Sequence, residues 1–446
     1  MSRARILGIT GLCTILTGLG GSAWAQTPDC STLNTPDKLI YMKGTTAVAP
    51  VISLFAAGLK RIGVTLLYND TGDGCGSTEA FAFPTSVVTG RDVYTQYDET
   101  SPGSGKVVQS TCNATLGQMP NLVINDVAWR SCYAVYSGQE PSLPAGMAEF
   151  EGPVQGAVPI VASSYTYYDD IMAEELQDLY VCAGNGHILT FVDIYDYGTT
   201  SGLRELFARG IGLPNAGIFS TRLSSSVGAQ QMPEQVGSSE SPSQTIGYTS
   251  TEFYDISRNL VNGLKVRGPG QSLAYWPDSS MTSTDKINIR EGRYMLQGAL
   301  EFVAKVDVTG MPTDPLAKEV IDWVQGNPVD PSLVLPFDMN QIYAQSGVVP
   351  QCAMKVKKDN DLDLPSFMPY QAAEPCNCSY QVMATGLTCI PGCVPCTDGL
   401  TCGPGQICSH GYCEQGIQSA DGGVLATGGD AGAPDVAPPD AGDASD

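Results

Sequence analysis

The sequence predicts an α/β fold in which short apolar strands alternate with helices and the main body divides into two lobes. The alternation runs through residues 26–370 and is typical of βαβ units and mostly parallel sheets. This region of about 340 residues exceeds the size at which a single hydrophobic core usually stops growing, so we expect two lobes.

The chain begins with a predicted export signal, residues 1–25. Arg3 and Arg5 supply a basic start, residues 6–19 an apolar run, and residues 23–25 a small-x-small cleavage site. No later stretch reaches the roughly 18 apolar residues that a membrane-spanning helix needs. We therefore expect an exported, soluble mature chain, located in the periplasm, at the cell surface or outside the cell.

The first strand–turn–helix unit has a strand at 39–43, a turn at 44–46 and an apolar helix over 47–60. A helix N-terminus presents free backbone N–H groups, which bind anions. The hydroxyl groups of Thr45 and Thr46 would add donors to this site. Threonine is also a good N-cap residue, so simple capping is the alternative role.

A second unit follows, with a strand at 64–68 and a turn of small residues at 71–77 before another helix. Its candidate donors are Gly74, Gly76 and Ser77. Two such units within about 40 residues indicate a binding cleft built from loops. Backbone dipoles in such a cleft attract an anion without a lysine.

Further strands are predicted at 122–127, 157–161 and 246–250. Further helices are predicted at 171–180, 202–209, 255–264 and 317–325. Together with the first two units, the segments 122–127, 157–161, 172–180, 200–207 and 246–250 stand in an order that resembles the periplasmic solute-binding proteins of the phosphate-binding class. The resemblance covers roughly residues 36–350.

This resemblance implies a type II periplasmic binding protein fold, with ligand held in a cleft between two hinged lobes. The first lobe would comprise about 36–156 and 292–365, and the second about 157–291. The implied function is capture of phosphate or a similar small oxyanion and its delivery to the membrane subunits of an ABC transporter.

The resemblance also implies two further contributions to the site. Ser201 and Gly202 would add a third helix N-terminus, from the second lobe. Asp126 would accept a hydrogen from a protonated oxyanion and so select phosphate over sulfate, although a structural hydrogen bond is the alternative. The ligand-binding candidates are therefore Thr45, Thr46, Gly74, Gly76, Ser77, Asp126, Ser201 and Gly202.

Several positions depart from the family's pattern. Tyr197 stands where the family usually has an arginine, Leu203 replaces a threonine, and Asp73 lies near the position of a serine donor. The loss of a bidentate guanidinium removes an effective oxyanion clamp, and Arg204 is more often structural in the family. These departures favour an alternative: a surface or secreted interaction protein that keeps the fold and has lost ligand binding.

The residues needed for catalysis are scarce. The chain has two histidines, His187 and His410, and no Gly-x-Ser-x-Gly elbow to supply a nucleophilic serine. The acidic run 359–363 resembles the start of a calcium loop, but it lacks the glycine at the sixth position and has Tyr370 at the twelfth. We therefore predict a binding protein with no catalytic residue, cofactor or metal.

The chain is strongly acidic, with 46 Asp and Glu against 23 Lys and Arg and a formal net charge of −23. This balance argues against a nucleic-acid partner and against adhesion to anionic lipid. It does not exclude a small anion, because local dipoles can bind one within a cleft.

Fourteen of the 15 cysteines lie beyond the export signal, so we expect disulfides. Eight of them crowd into residues 376–413, a small module for which four bridges are favoured over a zinc site at the Cys393-x-x-Cys396 pair. This module would contact a protein or cell-surface partner or would only stabilise the chain. The tail, residues 417–446, is rich in Ala, Gly, Pro and Asp and is predicted to be disordered.

Overall fold

The computed structural model describes most of the chain between residues 29 and 416. The described residues are 29–30, 38–70, 73–82, 92–99, 107–114, 118–132, 142–183, 191–224, 228–327, 329, 331, 334–358, 366–397 and 402–416. The predicted export signal, the tail, His187 and the acidic run 359–363 lie outside these residues. None of the helices in the described ranges is long and apolar enough to cross a bilayer.

The helices are numbered here in chain order. They are α1 Ala49–Lys60, α2 Gly74–Ala82, α3 Ala173–Cys182, α4 Gly202–Gly210, α5 Met232–Gly237, α6 Thr251–Ile256, α7 Ile287–Arg290, α8 Pro315–Gln325, α9 Met339–Ser346 and α10 Asn377–Thr385. A short 3-10 turn, Thr46–Val48, leads into α1.

The strands are numbered in the same way. They are β1 Lys38–Gly44, β2 Val64–Asn69, β3 Val93–Glu99, β4 Val107–Asn113, β5 Leu122–Asn125, β6 Met147–Ala162, β7 Asp170–Met172, β8 Asp193–Ile194, β9 Thr245–Ser250, β10 Val261–Gly263, β11 Lys265–Arg267, β12 Gln297–Lys305, β13 Val356–Lys358, β14 Phe367–Pro369, β15 Gln406–Ser409 and β16 Tyr412–Gln415.

The main sheet has ten strands in the order β4-β3-β2-β1-β5-β12-β6-β9-β8, with β10 beside β6. Parallel pairing occurs between β1 and β2, β1 and β5, and β8 and β9. The α/β class is confirmed, but the prediction of mostly parallel sheets is wrong. Strand β12 inserts antiparallel between β5 and β6. Strand β3 pairs antiparallel with β2 and β4, and β6 pairs antiparallel with β9 and β10.

Strand β6 passes through both lobes. Its first part pairs with β12, and its second part pairs with β9 and β10. One hydrophobic core lies around α1, β1, β2, β5 and α8, and a larger one around α3, α4, α5 and β9. The two-lobed type II binding-protein fold class is thereby confirmed.

Most predicted helices form close to their predicted positions, namely α1, α3, α4 and α8. The helix predicted over 255–264 is wrong, because α6 ends at Ile256 and residues 261–263 form β10. The backbone of β10 pairs with β6 instead, opposite Ile160 to Ala162. A tertiary strand pairing thus overrides the local helical pattern.

Six disulfides stabilise the described chain. Three lie within the cysteine-rich segment, Cys378–Cys393, Cys396–Cys408 and Cys402–Cys413. The expectation of four bridges there is wrong, because Cys376 bonds to Cys352 of the large region and Cys389 is free. The zinc alternative requires thiolates, which disulfide-bonded sulfurs do not supply.

Helix α10 packs into the core of the second lobe. The Tyr380 ring is fully buried, and its hydroxyl donates to the Val348 carbonyl oxygen at 3.1 Å. Arg290 Nη2 donates to the Asn377 carbonyl oxygen at 3.2 Å, and the guanidinium lies 5.5 Å from the Tyr380 ring centre. The start of the cysteine-rich segment therefore completes the larger core.

A buried ion network holds the second lobe together. Lys286 is fully buried, and its Nζ lies 2.8 Å from Asp255 Oδ2 and 2.9 Å from Asp278 Oδ1. Arg258 Nη2 contacts both carboxylates, at 2.6 and 2.7 Å. Burial opposes the charge of Lys286, but Asp255 and Asp278 outweigh it and raise the pKa of the lysine.

We predict that Lys286→Met lowers the free energy of unfolding by about 3–5 kcal/mol, because it removes a buried cation and leaves Arg258 alone to balance the carboxylates of Asp255 and Asp278. The measurement is urea denaturation at pH 7. A matched control is Lys265→Met: its pair with Asp169 is also 2.8 Å long, but the Asp169 side chain is 71% exposed. That variant should lose less than about 1 kcal/mol. Equal losses in both variants would contradict the stabilising role of the network.

Candidate functional site

Three of the predicted residues, Gly74, Asp126 and Gly202, meet where the carboxyl end of β5 faces the N-termini of α2 and α4. Strand β5 ends at Asn125, and Asp126 follows it directly. Helix α2 begins at Gly74 in the first lobe, and α4 begins at Gly202 in the second. Carboxyl ends of parallel strands are the usual place for ligands in α/β proteins, and β5 is parallel to its neighbour β1.

Asp126 is the central side chain of this site. It is fully buried, and its Oδ1 accepts a hydrogen bond from Gln155 Nε2 at 2.8 Å. Its Oδ2 is also buried and has no hydrogen-bond partner among the described residues. Burial raises the pKa of Asp126 to about 6, although Gln155, the Thr45 hydroxyl and the Leu203 backbone N–H lower it. At neutral pH the ionised form predominates, and Oδ2 can accept a further hydrogen bond.

The first residues of α2 and α4 approach this carboxylate closely. A Cβ atom at Gly74 would lie 2.2 Å from Asn125 Oδ1 and 3.2 Å from Asp126 Oδ2. A Cβ atom at Gly202 would lie 2.4 Å and 2.8 Å from the same two oxygens. Glycine is therefore required at both helix starts. Their positive dipole ends favour the ionised carboxylate and would favour a bound anion in the same way.

The two threonines of the first turn have different surroundings. Thr45 is buried and its Oγ1 accepts from the Ala47 N–H at 3.2 Å, so it caps the turn before α1. Its carbonyl oxygen accepts from the Tyr68 hydroxyl at 2.6 Å. Thr46 is partly buried. Capping by Thr45 leaves its hydroxyl proton available to the nearby Asp126 carboxylate.

The other candidates lie along α2 and at the start of α4. Ser77 is fully buried, and its Oγ has no partner among the described residues. Gly76 faces Thr200 of the other lobe, and a Cβ atom at Gly76 would lie 3.4 Å from Thr200 Cβ. Ser201 caps α4 by accepting from the Arg204 N–H at 3.4 Å. Gly74, Gly76 and Gly202 thus lie at contacts between α2, Asp126 and the start of α4.

The cleft is closed by direct contacts between the lobes. The Cys75 N–H donates to the Thr200 carbonyl oxygen at 3.2 Å, and Thr200 Oγ1 donates to Asp73 Oδ2 at 2.9 Å. Ser250 Oγ donates to the Ala47 carbonyl oxygen at 3.4 Å. The Cys75–Cys132 disulfide fixes the start of α2 against the turn that follows β5.

Arg204 contacts Asp196 and Phe219. Its Nε donates to Asp196 Oδ2 at 2.8 Å, and its guanidinium lies 4.8 Å from the Phe219 ring centre. Tyr197 is buried and its hydroxyl donates to the Tyr248 carbonyl oxygen at 2.9 Å. Asp73 adds a second carboxylate to the site, and burial raises its pKa. The site is therefore built from backbone dipoles and carboxylates.

Three residues at the site escaped the sequence analysis. Gln155 lies inside the long β6, where no local signal distinguishes it, and Asn125 ends β5. Glu252, in α6, is fully buried; burial, with a contribution from Asp126, raises its pKa to about 8. The sequence signal that could have identified Glu252 is its position, two residues after the end of the buried strand β9.

Comparison with known proteins gives distant similarities. No family model matches the sequence, and no curated protein matches it.

Among solved structures, an ABC-type phosphate transport receptor from Vibrio cholerae aligns over 70% of this chain and 99% of the receptor chain, at 13% identity and a TM-score of 0.41. A phosphate-binding protein from Stenotrophomonas maltophilia aligns with 70% and 90%, at 12% identity and a TM-score of 0.40. The reduced OxyR regulatory domain from Pseudomonas aeruginosa aligns with 64% and 95%, at 8% identity and a TM-score of 0.35. Similarities this distant transfer neither a ligand nor a partner.

We predict that Asp126→Asn stabilises the ligand-free protein at pH 8 and not at pH 4. A carboxyl group whose pKa rises from 3.8 to about 6 on folding destabilises the fold when it is ionised. This cost is absent below about pH 4 and complete above about pH 6, where it reaches about 3 kcal/mol.

The measurement is urea denaturation of both proteins in phosphate-free buffer at the two pH values. Glu174→Gln, which removes an exposed carboxylate from α3, is the control and should change stability equally at both. A gain from Asp126→Asn that is the same at pH 4 and pH 8 would show that the carboxylate is not the cause.

Proposed function

We propose that this protein is an exported solute-binding protein that captures a small protonated oxyanion, phosphate above all, between its lobes. One observation carries the proposal. Asp126 Oδ2 is a buried carboxylate oxygen without a partner among the described residues, and it lies against helix N-termini from both lobes. A buried acceptor of this kind is costly unless a donor reaches it.

A protonated oxyanion matches these groups chemically. Its oxygens accept from the backbone N–H groups at the starts of α2 and α4, and its own O–H donates to the ionised Asp126. Sulfate at neutral pH has no proton to donate and would place like charges together. Ser77 Oγ, buried and unpartnered among the described residues, is a further donor within α2.

Capture requires the lobes to separate and close again. Strands β6 and β12 connect the lobes, and bending there would open the cleft. The contacts from Cys75 and Thr200 that close the cleft are hydrogen bonds, which exchange readily with water. Ligand entry is therefore compatible with this fold.

Export and delivery complete the proposal. Six disulfides are typical of proteins in an oxidising compartment, which agrees with the predicted export signal. Delivery to the membrane subunits of an ABC transporter is the role of the binding-protein class that the sequence resembles.

Isothermal titration of the mature protein tests the proposal. Retained ligand is first removed by unfolding, dialysis and refolding, and phosphate and sulfate are then titrated separately at pH 7.5. We expect phosphate to bind and sulfate to bind at least tenfold more weakly. In Asp126→Asn, phosphate affinity should fall at least tenfold, because the hydrogen bond to a charged acceptor is lost.

Glu174→Gln, on the surface of the second lobe, is the control and should bind phosphate as the wild type does. Absence of heat with either anion, from wild-type protein with a native circular dichroism spectrum, would reject the proposal.

A second function is favoured by a separate observation. Asp73 places a carboxylate beside the start of α2 and already bonds Thr200 across the cleft, while Arg204 is held by Asp196. A cleft that closes on its own groups suits an interaction protein that has lost its ligand. In that case the partner would contact another surface, such as the cysteine-rich segment.

Substitution of Asp73 distinguishes the two functions. If the cleft binds oxyanions, Asp73→Ser should raise phosphate affinity about tenfold, because it removes a repelling charge and adds a hydroxyl donor. If the cleft has no ligand, the substitution should leave phosphate unbound and only weaken lobe closure. Titration calorimetry reports the first result, and small-angle X-ray scattering of the ligand-free variant reports the second.

A further inference from the structure

An open cavity of about 310 Å³ lies on the second lobe, where tyrosines of the β6–β7 connection face β10. Its walls include Tyr165, Tyr167 and Tyr168, and Met281 contributes to its lining. The cavity is remote in sequence from all eight candidates of the interlobe site. Its size falls within the range of small-molecule sites.

The tyrosine rings form a corner. The ring centres of Tyr165 and Tyr167 lie 5.5 Å apart, with planes inclined at 60°, and Phe191 stacks behind Tyr165 at 5.8 Å. Tyr165 is 8% exposed, whereas Tyr167 and Tyr168 are 67% and 55% exposed. The inner ring is therefore fixed by packing, while the outer two present their faces or edges to solvent.

Burial also sets the protonation state of the inner tyrosine. Burial raises the pKa of Tyr165 to about 12, with further contributions from Tyr168 and Tyr167. The Tyr165 phenol is therefore neutral at physiological pH, and its ring offers a π-face and a hydroxyl dipole without a charge of its own.

The charge of the cavity has a single sign. Asp169 and Asp170 line it, and none of its lining side chains is basic. Asp169 pairs with Lys265 outside the lining, at 2.8 Å. Asp170 forms no ion pair with any described residue. One unpaired carboxylate beside several aromatic rings favours a cation over an anion or a neutral ligand.

We propose that this cavity binds a free small solute through a quaternary ammonium group. Such a group is large and weakly hydrated, so it enters an aromatic corner at little desolvation cost, and the ring faces attract its charge. Asp170 supplies the counter-charge, and the amide of Asn262, also in the lining, can bond a polar arm of the solute. A compact primary ammonium ion is more strongly hydrated and fits this corner less well.

Titration calorimetry of the full mature protein with choline tests this site, in 0.15 M salt to screen the overall negative charge. The comparison ligand is 3,3-dimethylbutan-1-ol, which has the same shape with carbon in place of nitrogen. We expect choline to bind and the alcohol to bind at least tenfold more weakly. Equal affinities would show an apolar cavity and overturn the proposal, as would the absence of choline binding.

Two variants locate the binding site. Tyr167→Leu combined with Tyr168→Leu should lower choline affinity at least tenfold, because two cation–π contacts are lost. Asp170→Asn should lower choline affinity several-fold and leave the alcohol unchanged. Tyr412→Leu, in the C-terminal hairpin, is the aromatic control. Choline binding that survives in the double variant would place the site elsewhere and overturn the assignment.

Two further measurements complete the test. Co-sedimentation with phosphatidylcholine vesicles, without binding of free choline, would assign the cavity to a lipid headgroup and overturn the free-solute proposal. Phosphate titration of the double variant should match the wild type. The two sites therefore fail or succeed independently.

Discussion

The buried carboxylate of Asp126 is the constraint on which the organisation of the cleft depends. It lies at the carboxyl end of β5, under the N-termini of helices from both lobes, with one oxygen held by Gln155 and the other without a partner among the described residues. Burial makes its ionisation costly, and the helix dipoles offset part of that cost. Gly74 and Gly202 are consequences of this arrangement, since any side chain there would displace it.

The second lobe has its own rigid support. The Lys286 network fixes the segment before β12, and the Cys352–Cys376 bridge holds α10 against the larger core. Strand β12 follows this fixed segment and enters the first lobe, where it pairs with β5 beside the cleft. These contacts make the second lobe one packed unit, as the proposed capture of a ligand between the lobes would require.

Much of the fold was readable from local patterns. Helices α1, α3, α4 and α8 follow their apolar spacing, because their buried faces are encoded within nine to twelve residues. The failures have non-local causes. Residues 261–263 became a strand because β6 offered them backbone partners. The antiparallel pairings of β12, β3 and β9 turned a predicted parallel sheet into a mixed one.

The sequence by itself determined the α/β class, the two small-residue turns at helix starts and the carboxylate after β5, since each depends on neighbouring residues only. Tertiary structure alone decided what those groups meet. It placed Gln155 on Asp126, brought Thr200 to Asp73 across the lobes and paired Cys75 with Cys132. Partners 29 to 127 residues apart along the chain leave no local pattern, because only the packing of both lobes brings them together.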